Sequence, residues 1–154
     1  MVCAFIILNR EPSVSFDMWV HLAQAYKIEV LIVCNRSGVP NITARHTPRG
    51  TPRIEEALGI EDAFQRRPYF KWVFAEPYRE FNGDEAVRLQ EYTHPESQVV
   101  YAFGSDTNAP PDHRDFFHGK GADFIYIEPP LAEKQLFAIH AASAVFYERG
   151  NNGG

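Results

Sequence analysis

Cysteine is scarce in this sequence. The 154-residue chain carries two, Cys3 and Cys34, each inside an apolar run, "MVCAFIIL" and "VLIVC". Two cysteines cannot build the disulfide framework of a small secreted domain, and their settings read as reduced core thiols. Long apolar runs are also missing. No segment approaches the roughly 20 apolar residues that a membrane helix needs. The first apolar run is short and lacks a basic flank, so it does not read as a signal peptide. Positive charge is in deficit: 15 Lys and Arg against 20 Asp and Glu leave a net charge of −5. That balance excludes a protein that coats nucleic acid nonspecifically, but not one with a local basic face. There are no internal repeats, no phosphate-cradling glycine loop and no serine-centred elbow. The expectation is a soluble, cytoplasmic protein with no membrane contact.

The chain does have material for a core. Hydrophobic residues make up 45% and aromatic residues 14%, which marks a globular chain of a length suited to one domain. The expected domain covers residues 1–149, and the tail 150–154, "GNNGG", reads as a flexible end.

Continuous apolar runs predict buried strands at Val2–Leu8, Glu29–Cys34, Tyr69–Ala75, Gln98–Phe103 and Asp123–Glu128. Between them, Phe16–Ala25 reads as a helix, "RIEEALGIEDAF" as a short helix, and "GDEAVRLQEY" as one or two helical turns. "PDHRDFFHG" is read as a further short helix. The clearest helix runs from about Ala132 to Arg149, with Leu136, Ile139, Ala142, Ser143 and Phe146 near one face. A long loop, "NRSGVPNITARHTPRGTPR", separates the second strand from the next element. Strands alternating with helices predict an α/β fold, a mostly parallel sheet with helices on both faces.

Such sheets bind ligands beyond the carboxyl ends of their strands. Two strand ends fit that place, "FGSD" at 103–106 and "IEPP" at 127–130, although either can equally be a tight turn. Glycine at such an end lets a ligand approach the backbone, and the prolines stop the strands from continuing. A second candidate surface is the long loop. From Val30 to Ile54 there is no acid, yet there are Arg36, Arg45, Arg49 and Arg53, spaced to meet phosphates or simply to face solvent. Arg66, Arg67 and Lys71 can extend this patch, and glutamates at 11, 55, 56 and 61 offset it. The six histidines do not predict a metal site. His113 and His118 are five apart, off the same-face helical spacing, His46 and His94 are isolated, and His140 reads as a helix or dimer-interface residue.

"HPESQVVYAFGSD" resembles a segment of the SPOUT-class (SpoU-type) RNA methyltransferases, in which a strand ends in an apolar residue, glycine, a small residue and an acid. "IYIEPPLAEKQLFAIHAASAVFYER" resembles their final motif, ungapped from Ile127 to Glu148, with small residues Ala141, Ala142 and Ser143 kept in its helix. "HLAQAYK" at 21–27 stands at their first motif and keeps Ala23 and the aromatic Tyr26. The resemblance implies a parallel α/β sheet whose C-terminal part forms a deep trefoil knot. It also implies a homodimer that binds S-adenosylmethionine and methylates RNA, tRNA or rRNA, at a ribose 2′-oxygen.

By that resemblance the cofactor contacts are Phe103, Gly104, Ser105, Ile127, Pro129, Leu136 and Phe137, and the catalytic positions are Asp106, His21 and Arg10. The RNA contacts would be Arg36, Arg45, Arg49 and Arg53. Several positions depart from the family pattern. His21 replaces an arginine, Ser15 stands near an asparagine position, and Asp106 replaces a longer glutamate. Glu128 stands where the strand-end proline falls, Gln135 replaces a serine, and Phe137 replaces an asparagine. Two readings follow: a methyltransferase with altered catalytic motifs, or a dimer of the same fold kept as a binding module for RNA or another partner. An unrelated doubly wound nucleotide-binding protein is the third.

Overall fold

Val2–Leu8, Val30–Asn35 and Val99–Ser105 are almost unbroken apolar runs, and in the computed structural model each is a strand. The structure describes residues 1–8, 12–36, 42, 52–76, 86–105, 116–127 and 138–152. Its strands are β1 (Val2–Leu8), β2 (Val30–Asn35), β3 (Arg53–Ala57), β4 (Lys71–Glu76), β5 (Ala86–Arg88), β6 (Val99–Ser105) and β7 (Asp123–Tyr126). They form one seven-stranded sheet in the order β3-β2-β1-β6-β4-β7-β5. Every pairing among them is parallel. The helices are α1 (Pro12–Ala25), α2 (Ile60–Arg66) and α3 (Ala138–Asn152).

Side chains alternate across a strand, so each buried strand feeds two cores. On one face Ala4, Ile6, Leu8, Leu31, Val33, Tyr101 and Phe103 pack with Phe16, Trp19 and Val20 of α1 and with Ala142, Val145 and Phe146 of α3. On the other, Cys3, Phe5, Ile7, Ile32, Cys34, Val100 and Ala102 pack with Ala63 of α2 and with Trp72, Phe74, Phe117 and Phe124. The expected α/β fold with helices on both faces is thus the fold observed. Both cysteines are buried thiols, and burial pushes the Cys3 thiol up to about 11, which keeps it protonated and inert. The trefoil knot expected of the C-terminal part falls on a stretch in which 106–115 and 128–137 lie outside the described residues.

Two expected helices are not what forms. The first half of "RIEEALGIEDAF" is strand β3, and α2 starts only at Ile60. Glu55, Glu56 and Ala57 are good helix formers, but their backbone pairs with β2 from Val30↔Arg53 to Cys34↔Ala57. The Glu55 carboxylate also accepts a two-pronged grip from Arg67, at 2.8 and 2.7 Å, and the hydrogen bonds from Arg67 hold that carboxyl down at about 2. Its charges also blunt the open edge that β3 presents at the margin of the sheet. In "GDEAVRLQEY" the described part is the three-residue edge strand β5 followed by a single 3-10 turn, Leu89–Glu91. Pairing with Phe124–Tyr126 of β7 and burial of Leu89 decide this against helix.

Helix α3 runs through Asn152, past the expected end at Arg149. Its inward stripe is Ala138, Ala142, Val145, Phe146 and Arg149. Ser143 is exposed and Ile139 half-buried, so the buried face is turned from the one the sequence predicts.

Candidate functional site

The chain leaves β1 toward β2 and β3 on one side, and the remaining strands lie on the other. The order therefore reverses between β1 and β6, and the crevice at their carboxyl ends is where a parallel sheet of this kind receives a ligand. The end of β6 is irregular at that point. Phe5 pairs with Ala102 and Ile7 with Ser105, so β6 carries one extra residue across Phe103–Gly104. This is a β-bulge, a device that bends a strand and re-aims the residues after it.

Phe103 anchors the bulge. Its ring lies 5.7 Å from that of Trp19 on α1 and 5.8 Å from that of Phe146 on α3. Gly104 is buried beside it. Ile127, directly after β7, is half-buried and packs against the same core. Strand β4 separates β6 from β7, so the two predicted strand ends sit on one edge of the sheet, about two strand spacings or roughly 10 Å apart. Between them β4 ends in Phe74, Ala75 and Glu76. Trp19 places a buried indole N–H in this region without an acceptor among the described residues, a donor that sequence reading did not single out, although its place on the inward stripe of α1 was visible.

The other predicted residues fall in different places. Asp106, Arg10, Pro129, Leu136, Phe137, Arg45 and Arg49 lie outside the described residues. For Ser105 the structure gives the backbone, which pairs with Ile7. Arg36 is exposed just beyond β2, with its backbone N–H bonded to the carbonyl of Leu8 at 2.8 Å. It thus stands at the same carboxyl edge as Phe103. Arg53 starts β3 at the opposite edge, opposite Val30. Six residues of strand separate the two edges, about 20 Å, and Arg53 is bonded to Glu55 at 2.7 Å. The suggested extension of the patch is also ion-paired: Arg66 with Asp62, Arg67 with Glu55, and Lys71 with Asp123.

His21 is exposed on α1 and lines a groove of about 640 Å³ between α1 and α3. Met18, Leu22, Ala25, Tyr26 and Ile139 give the groove its apolar lining, and Asp17, His140 and Ser143 border it. Met18 is 48% exposed there. Among the described residues no group of three metal-ligating side chains converges, and no helix is long and apolar enough to cross a membrane.

No family model matches the chain, and no curated protein matches it in sequence. Solved structures do. An S-adenosylmethionine-bound rRNA methyltransferase from Sinorhizobium meliloti superposes over 97% of this chain and 56% of its own, with a TM-score of 0.71 at 18% identity. The fold is that of RNA methyltransferases. The SpoU methyltransferase AviRb from Streptomyces viridochromogenes matches over 96% of this chain and 58% of its own, at TM-score 0.68 and 12% identity. The TrmH/SpoU tRNA modifying enzyme of A. aeolicus matches over 98% and 75%, at TM-score 0.65 and 16% identity. The fold is thus one that these SpoU and TrmH structures share, at identities of 12 to 18%. The chain spans little more than half the length of the first of these proteins.

Proposed function

We propose that this chain binds S-adenosylmethionine at the carboxyl ends of β6 and β7 and methylates RNA, a tRNA or rRNA, at a ribose 2′-oxygen. The observation that carries the reading is the agreement over 97% of the chain with a methyltransferase that holds this cofactor, joined to the bulge at Phe103–Gly104. The residues present suit the group. In this reading the bulged backbone at Phe103 and Gly104 and the half-buried Ile127 meet the cofactor, Ser105, Pro129, Leu136 and Phe137 complete the proposed contacts, and the sulfonium supplies an activated methyl. Asp106 orients the substrate hydroxyl and His21 accepts its proton. Arg10 steadies the negative charge that develops, and Arg36, Arg45, Arg49 and Arg53 hold phosphates. Calorimetry is expected to give saturable heat with S-adenosylmethionine, followed by transfer of a labelled methyl to bulk RNA. No heat at millimolar ligand overturns the enzyme reading.

A second reading keeps the fold as a binding module without methyl transfer. Phe137, where the family has an asparagine, favours it, because a ring there removes a hydrogen-bonding amide and fills its space. Cofactor heat without label on RNA is the outcome that selects it.

The proposed assembly is a homodimer through the α1–α3 face. The exposed Met18 and the apolar lining of the groove support a second copy as its occupant. Sedimentation is expected to show two chains at micromolar concentration. Met18→Glu, which buries a charge in that face, is expected to weaken association at least tenfold. A wild-type chain that sediments as one copy at all concentrations rejects the dimer.

A further inference from the structure

His94 was an isolated residue in the sequence, and the structure makes it the centre of a buried cluster. It is 4% exposed. Its Nδ1 lies 2.8 Å from the hydroxyl of Tyr101 on β6. The Tyr92 ring stands edge-on to it at 5.1 Å. Its Nε2 is buried and, among the described residues, has no hydrogen-bond partner. Beside it Arg149, from the last turn of α3, is 8% exposed. That guanidinium donates to the carbonyls of Pro95 and Glu96, both at 2.9 Å, and lies 5.9 Å over the Tyr101 ring. The segment 94–96 and the end of α3 are therefore fastened through Arg149, beside the imidazole that holds Tyr101.

We propose that His94 and Arg149 form an acid-sensitive latch that releases the C-terminal turns of α3 from the segment before β6 when His94 is protonated. A protonated imidazole needs an acceptor at each nitrogen, and at Nε2 there is none among the described residues. It would also set a second positive charge near the Arg149 guanidinium in a site closed to water. The charged and titratable groups that face the ring are few. Tyr92 is committed to Asp123 at 2.6 Å, Tyr101 holds Nδ1, and α3 brings Arg149 together with Glu148, the acid that acts in the opposite sense. Burial first, and Arg149 second, hold the His94 imidazole below its ordinary value near 6.5. The sign follows from that depression. The unfolded or released state takes up the proton more readily, so the latch is intact above about pH 6.5 and weakens as pH falls below it. The device is independent of the proposed methyl transfer.

Hydrogen exchange over residues 145–152, corrected for the intrinsic rate, tests it. Protection is expected to fall at least tenfold between about pH 7.5 and about pH 5.5, while the amides of β1 and β2 keep theirs. His94→Phe, which keeps a ring and cannot titrate, is expected to abolish that difference. Constant protection of 145–152 across the range, or an unaltered pH dependence in His94→Phe, overturns the latch. The wild-type ring resonances give a readout that does not depend on the variant folding. His94 must titrate below the ordinary histidine value near 6.5, and a midpoint at or above it overturns the proposal as well.

Discussion

Asp106→Asn is expected to lower methyl transfer to RNA by about 100- to 1,000-fold while leaving S-adenosylmethionine affinity within about threefold. The proposed cofactor contacts include the bulged backbone at Phe103 and Gly104 and the half-buried Ile127, which this change does not touch. The carboxylate is the group proposed to orient the ribose hydroxyl, and losing a positioned acid or base of this kind typically costs two to four decades. Single-turnover rates with labelled cofactor, alongside calorimetry of the same protein, separate the two quantities. An unchanged rate removes Asp106 from the reaction. A parallel loss of rate and affinity makes it a binding residue instead.

Trp72→Ala is expected to destabilise the fold by about 3 to 5 kcal/mol, the range for deleting a large buried aromatic side chain. Trp72 is 2% exposed and stands among Phe5, Phe64 and Phe117, with ring centroids 6.5, 5.6 and 5.5 Å away. Its indole also donates to the carbonyl of Arg67 at 3.0 Å, and truncation leaves that carbonyl with the Phe70 N–H at 3.2 Å. Domains of this size are stable by only about 5 to 15 kcal/mol, so the loss is a large share of the whole. Urea unfolding followed by far-UV circular dichroism measures it. A midpoint within error of wild type would mean that the aromatic layer over this face of the sheet contributes far less than its burial implies. Trp72→Phe, which keeps much of the ring volume, is expected to recover more than half of the loss.

What could be read in the sequence followed from how each element is held. Val2–Leu8 and "EVLIVC" announce themselves because strands buried on both faces are apolar throughout. Arg53–Ala57 and Ala86–Arg88 do not, because margin strands carry charge and their conformation is set by a neighbour, β2 or β7. The candidate site was legible as a strand end with a glycine and an acid. Its bulge was not, because it exists only as a mismatch of register between β1 and β6. Trp19 was readable as a core residue but not as the ring against Phe103. His94 could not be tied to Arg149, since the arginine bonds the residue after it across 54 positions of chain. The basic loop was legible as a string of arginines. That Arg36 and Arg53 stand on opposite edges of the sheet required the pairing of β2 with β3.

The strand order also fixes a timetable for synthesis. Among the described residues β4 pairs only with β6 and β7, and both follow it in the chain. While the ribosome makes the first hundred residues, β1, β2 and β3 can already zip together. Strand β4 then has neither hydrogen-bonding flank occupied, and only the ring of Trp72 can already meet earlier residues, Phe5 and Phe64. The middle of the sheet is thus the last part to close, by two strands slotting into gaps rather than adding at a margin. Such late, long-range pairing is slow and leaves sticky intermediates, so the nascent chain of this protein is a natural client for chaperones that shield hydrophobic segments during translation.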